Sequence, residues 1–214
     1  MKHLYFLSGL GADERIFQFL QLPGYVRHYI RWIRPYPQET LEHYADRLTA
    51  QIEHDRPILI GVSFGGMIAV EMAKLMPVEK LILISSVKTR EELPPYFQLL
   101  RGFPLHSYIP IQVTQQLSLI TADWWFSVAS QPEHDLLRSV LQDTDPAFLQ
   151  WAIDGVLHWD NTTPPKEVVH IHGTGDRLLP IAYVKPDITI ADSGHLMIVS
   201  RAAELSTLLT AILA

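Results

Sequence analysis

The stretch Ile58-Leu59-Ile60-Gly61-Val62-Ser63-Phe64-Gly65-Gly66 decides how the rest of the chain is read. A short apolar run, residues 58–62, leads into Gly-x-Ser-x-Gly and then into a segment, 65–75, rich in Ala, Met and Ile. The run predicts a strand buried on both faces, and the segment after it a helix. A serine on so sharp a strand-to-helix turn sits in a strained backbone conformation, and glycine two residues to either side lets strand and helix approach closely. The turn lifts the serine Oγ above the sheet and aims the backbone N–H of Phe64 where an oxyanion would form, at the positive end of the new helix. The pattern alone is weak. Its strand-turn-helix setting makes Ser63 a candidate nucleophile rather than a serine that merely caps a helix.

Outward from this turn, similar β-rich runs recur at residues 4–7, 29–33, 81–84, 168–171 and 188–190. Between the early ones, Leu41, Tyr44, Ala45, Leu48 and Ile52 fall on one face of a 3.6-residue period behind a plausible N-cap at Thr40. Strand alternating with helix predicts an α/β fold, a mostly parallel sheet with right-handed crossovers. The rhythm breaks between about Val87 and Pro165, where proline-punctuated amphipathic helices are expected instead of strands. The expected organisation is therefore a core of residues 1–87 and 166–214 with a helical cap, 88–165, inserted into it. Trp124, Trp125, Phe126, Trp151 and Trp159 lie in that insertion, where they either hold a helical layer together or line an apolar pocket. Residues 196–213 read as one closing helix.

Bulk properties narrow the class. The chain has 214 residues, 48% of them hydrophobic and 19% charged, enough to bury a substantial core. A formal charge of −6 provides no basic stripe for a phosphate backbone, so nucleic acid is not an expected partner. Without cysteine there is no disulfide framework, thiol nucleophile or thiolate metal site. The first nine residues lack the long apolar region of a signal peptide, and no apolar stretch is long enough to span a bilayer. The chain reads as cytoplasmic, with no membrane partner.

A serine nucleophile needs a base, and His195 suits: it follows strand 188–190 through Ala191-Asp192-Ser193-Gly194 and leads into the last helix. The histidine in turn needs an acid. Strand 168–171 ends in Gly173-Thr174-Gly175-Asp176, which makes Asp176 the candidate, with Asp192 the competitor expected to shape its own loop. After the first strand, Ser8-Gly9-Leu10-Gly11 lets backbone come close to a reacting carbonyl, and the Leu10 N–H becomes a second oxyanion donor. A dinucleotide fingerprint would need glycine at position 14, where Glu14 stands. His170 and His172 form an H-x-H with no third ligand at helpful spacing and read as strand histidines, so no metal is expected.

Together Ser8-Gly9-Leu10-Gly11, Gly61-Val62-Ser63-Phe64-Gly65-Gly66, Gly173-Thr174-Gly175-Asp176 and Ser193-Gly194-His195 resemble the α/β-hydrolase superfamily over nearly the whole chain. Within it the chain is similar to small bacterial hydrolases with a helical cap. The resemblance implies Ser63 as nucleophile, Asp176 as acid, His195 as base, the Leu10 and Phe64 amides as oxyanion hole, a small-molecule substrate and no cofactor. Two departures stand out: Ser8 replaces a histidine that many relatives carry, and the two strands that usually begin the fold have no room here. Hydrolysis of an ester-like bond through an acyl-enzyme is the expected activity. A C–C hydrolase or lyase using the same residues and a non-catalytic ligand-binding homologue are the alternatives, since fold alone does not fix chemistry.

Overall fold

The computed structural model describes residues 2–102, 121–128 and 130–214. Six strands form one sheet: β1 (Lys2–Leu7), β2 (Tyr25–Tyr29), β3 (Ile58–Val62), β4 (Lys80–Ile84), β5 (Val168–Gly173) and β6 (Ile188–Ile190). Their order is β2-β1-β3-β4-β5-β6, and every neighbouring pair is parallel. Parallel strands need crossovers on the sheet faces, which is why these strands are apolar at successive positions rather than alternating. Leu4 and Phe6 of β1 enter one core with Ile58 and Ile60, whereas Tyr5 and Leu7 enter the other with Leu59 and Leu81.

Helices α1 (Leu41–Thr49) and α2 (Phe64–Leu75) cover the second of these faces. The α1 N-terminus is capped as expected, the Thr40 side chain accepting from His43 N–H. Between β4 and β5 the chain runs through α3 (Pro95–Gly102), helical residues 121–125, α4 (Gln131–Asp143) and α5 (Pro146–His158). The first face is closed by α6 (Met197–Ser200) and α7 (Ala202–Leu213).

Two expectations are corrected. The second strand is residues 25–29, not 29–33: its five side chains are all half-buried, as suits an edge strand, and Tyr29 is its last residue in register, opposite Phe6. The apolar run beyond it has other partners. Trp32 packs on Phe64 and Phe148, and the Tyr44 hydroxyl both accepts from Ile33 N–H and donates to Ile33 C=O. The closing segment is two helices rather than one, broken at Arg201, whose backbone leaves helical geometry at φ −121°, ψ 29°.

The chain runs from β1 outward to β2, then returns to place β3 on the other side of β1. The crossovers on either side of this point diverge, opening a crevice at the carboxyl ends of β1 and β3. Ser63 follows β3 there and Ser8 follows β1. The glycines of the turn allow the approach: a Cβ on Gly61 would lie 2.5 Å from Gly66 Cα, and one on Gly65 would lie 2.2 Å from Ser8 O and 2.4 Å from Leu7 O. These obstacles are backbone and cannot swing aside. Gly65→Ala should therefore cost about 2–4 kcal/mol in urea unfolding, whereas Gly102→Ala, with nothing within 4 Å of its added carbon, should change stability little. Equal midpoints for the two variants would contradict the tight-approach argument.

Candidate active site

Ser63 adopts φ 52°, ψ −121°, a region that L-residues rarely occupy. Its neighbours hold it there. Ser63 N–H donates to Ile84 C=O at 3.0 Å, and its own C=O accepts from Gly66 N–H at 2.9 Å and from the Ser86 hydroxyl at 2.7 Å. Such over-determination is what maintains strain of about 1–3 kcal/mol in a native state.

The side chain of Ser63 meets a histidine. Its hydroxyl donates to His195 Nε2 at 2.8 Å, and His195 Nδ1–H donates to Asp176 Oδ2 at 2.7 Å. His195 and Asp176 are buried, and the other oxygen of Asp176 accepts from the Leu178 and Leu179 N–H groups at 2.9 and 2.8 Å. Burial alone would push the Asp176 carboxyl up, but the His195 charge, the His172 and His195 side-chain contacts and the Leu179 N–H outweigh it and hold it well below the ordinary range. An anionic carboxylate so placed fixes the proton of His195 on Nδ1, leaving Nε2 free to take the serine proton. Asp192 stays exposed in a left-handed conformation, its N–H bonded to Thr174 Oγ1.

The loop after β1 lies against this group, and a Cβ on Gly9 would be 3.6 Å from Ser63 Cβ. Ser8 folds the loop onto itself by donating to Ala12 C=O at 2.7 Å. Leu10, Ser63, Phe64 and His195 all border a cavity of about 340 Å3.

The remaining walls only partly match expectation. Trp125 and Phe126 line the cavity, and the Phe126 ring stands edge-on to His195 at 5.3 Å. Trp124 is 56% exposed, with the Arg177 guanidinium 5.2 Å from its ring centre. Trp151 and Trp159 do not reach the cavity because each indole N–H must find an acceptor once buried. Trp151 donates to Glu39 C=O and packs on Tyr44 at 4.3 Å, and Trp159 donates to the Glu71 carboxylate at 2.7 Å. Both rings bolt α5 and its end onto α1 and α2. The walls come instead from Leu137, Val140 and Leu141 of α4, with Leu149, Ile153 and Val156 of α5. The apolar stripe of α4, with Leu137, Val140 and Leu141 at helical spacing, is the signal in the sequence that marks this wall.

His172 braces the acid from behind. Its Nε2–H donates to Leu179 C=O at 2.8 Å and lies 3.3 Å from Asp176 Oδ2, while its Nδ1 is 3.3 Å from His170 Nε2. Burial, then the His172 and Lys88 charges, push His170 down to about 3, so His170 remains neutral. The reading of both as strand histidines at the carboxyl end of β5 agrees with their burial.

Comparison with known proteins now has a site to attach to. The sequence pattern of the alpha/beta hydrolase family matches residues 4–208. The chain belongs to that family. Among solved structures it is similar to the enol-lactonase from Burkholderia xenovorans LB400, at 16% identity and TM-score 0.76, over 99% of this chain and 91% of that one. An esterase from Exiguobacterium antarcticum is similar at 16% identity and TM-score 0.74, again over 99% and 91% of the two chains. A bromoperoxidase from Bacillus anthracis has 16% identity and TM-score 0.69 over the same shares. No curated protein matched by sequence. Identities this low speak for the shared fold. Among the described residues, no helix of this family member is long and apolar enough to cross a membrane.

The depressed Asp176 carboxyl links stability to pH. Its folded pKa lies below its ordinary value of 3.8, so its contribution is complete above that value and is lost as pH falls through it toward the folded pKa. The stability difference between the wild type and Asp176→Asn should therefore change between about pH 5 and pH 3, with the wild type declining more steeply. Urea titrations across that range measure it, and a difference independent of pH would contradict the assignment of an ionised, partnered carboxylate.

Proposed function

We propose that this α/β-hydrolase cleaves an ester-like bond of a small apolar substrate through an acyl-enzyme on Ser63. The observation that carries the reading is the continuous hydrogen-bonded chain from Ser63 Oγ through His195 to Asp176, opening on an apolar cavity. Ser63 Oγ attacks the carbonyl carbon as its proton passes to His195 Nε2, and the imidazolium is stabilised by Asp176. The carbonyl oxygen becomes an oxyanion that accepts from the Leu10 and Phe64 N–H groups, the latter among the amides a helix start leaves without an intrahelical partner. Collapse breaks the bond to the leaving oxygen, which takes the proton back from His195. A water then repeats the sequence in reverse and releases the acid, restoring Ser63.

In this reading the insertion expected over 88–165, of which 103–120 and 129 lie outside the described residues, acts as a cap, with Trp125, Phe126 and the leucines of α4 forming an apolar roof. Removing apolar surface from water stabilises a bound acyl or alcohol group by about 25 cal/mol per Å2 and leaves no compensation for a buried charge. Charged substrates are accordingly disfavoured.

A fluorophosphonate should label the folded protein once, on Ser63, as read by mass mapping of the adduct. Ser63→Ala should abolish labelling and lower kcat toward p-nitrophenyl esters by about 10⁴-fold with the fold intact. Hydrolysis undiminished in that variant would sink the mechanism, and failure of the wild type to release p-nitrophenol from any ester would favour a ligand-binding role. For the roof, Trp125→Ala should raise KM more for octanoate than for acetate esters, whereas Trp124→Ala should leave their ratio unchanged. The opposite ranking would place the specificity pocket elsewhere.

A further inference from the structure

Three histidines from distant parts of the chain, none of them lining the cavity at Ser63, converge beside β1 and the edge strand β2. His3 is on β1, His28 on β2 and His54 on the segment between α1 and β3. In the sheet register Tyr5 lies opposite His28, and Tyr5 and His3, two apart on one strand, point to the same face. All three rings are half-buried, and one ring nitrogen from each lies within 4.8 Å of the other two. His3 Nδ1 and His28 Nε2 are 2.9 Å apart, and the His3 and His54 rings stack at 3.5 Å between centres.

The hydrogen bonding of this cluster is uncommon for histidine. Among the described residues these rings bond to one another and to the Tyr5 hydroxyl, and no carboxylate bonds to any of them. Three imidazoles thus converge with no carboxylate paired to them among the described residues. They are well suited as neutral donors converging on a borderline metal ion. We propose that His3, His28 and His54 form a binding site for a divalent transition metal of the zinc type.

Zinc–nitrogen bonds of about 2.0–2.1 Å in tetrahedral array place ligand nitrogens about 3.3 Å apart. His3 Nδ1 and His28 Nε2, 2.9 Å apart, are near that value, and because the His3 and His54 rings stack face to face, rotation of these half-buried side chains is what turns their lone pairs to a common ion. An outer partner for one ligand is already in place. Glu53 N–H donates to the Tyr5 oxygen at 3.1 Å, and Tyr5 bonds to His54 Nδ1 at 2.6 Å, which leaves His54 Nε2 to face the metal. On binding, His54 carries its proton on Nδ1 and donates it to the Tyr5 oxygen. The fourth position is left to water. The ion would tie the edge strand β2 to β1 and to the segment entering β3, three pieces that sequence spacing alone gives no reason to group.

The test uses the full chain, free of any affinity tag and stripped with a chelator. With no cysteine in the sequence, no thiolate competes for the ion. Calorimetric titration with zinc chloride should show one equivalent bound with Kd below about 10 μM, and excess zinc should raise Tm by about 5 °C or more. His28→Gln and His54→Gln should each weaken binding by at least about tenfold, while the exposed His158→Gln leaves it unchanged. Imidazole nitrogen NMR on the wild type, which depends on no variant folding, should shift the signals of these three histidines and not those of His170, His172 and His195. Absence of binding at tens of micromolar zinc, or binding that survives both substitutions or shifts a different set of histidines, would overturn the proposal. Ester hydrolysis should be indifferent to zinc and to His28→Gln.

Discussion

The structure depends on a backbone held where backbone does not willingly go. Ser63 keeps its left-handed turn because Gly66 N–H, Met67 N–H and the Ser86 hydroxyl all donate to its carbonyl and because β3, α2 and the end of β1 pass closer than any side chain permits. The cost of that conformation is local, and the whole parallel sheet resists its relaxation. The return of the chain across β1 places the turn at the one point where the crossovers part, so the strained serine and the open crevice have a common topological origin.

The rest of the polar chain follows the same logic of buried groups that are fully partnered. Asp176 is 4% exposed yet remains ionised, since two backbone amides and two histidines surround it. A carboxylate desolvated without them would take up a proton and lose its hold on His195. His172 extends this support inward, its own tautomer fixed by the Leu179 carbonyl.

Legibility from the sequence follows how local the cause is. The turn at Ser63, the strand at 58–62 and the cap at Thr40 are set by residues next to one another, and they stand where the sequence places them. The second strand was displaced because the apolar run 29–33 satisfies itself against Tyr44, Phe64 and Phe148, contacts made across more than ten residues. Trp151 and Trp159 misled for a related reason. An indole is both a large apolar plate and a donor, and the acceptors that claimed these two, Glu39 C=O just before α1 and the Glu71 carboxylate of α2, lie far away in the chain. The grouping of His3, His28 and His54 is wholly a product of strand register and leaves no spacing signature.

The joint between the helical insertion and the histidine loop has a further implication. Phe126 C=O accepts from Leu196 N–H at 3.3 Å, and the space that a Cβ on Gly194 would need is filled by Ser127, 2.2 Å away. The cavity wall at Phe126 and the loop that carries His195 are therefore joined by one backbone contact. If the proposed function holds, a change to the roof at Phe126 is felt at the imidazole through this contact and the edge-on ring, so the shape of the pocket and the pose of the base are coupled.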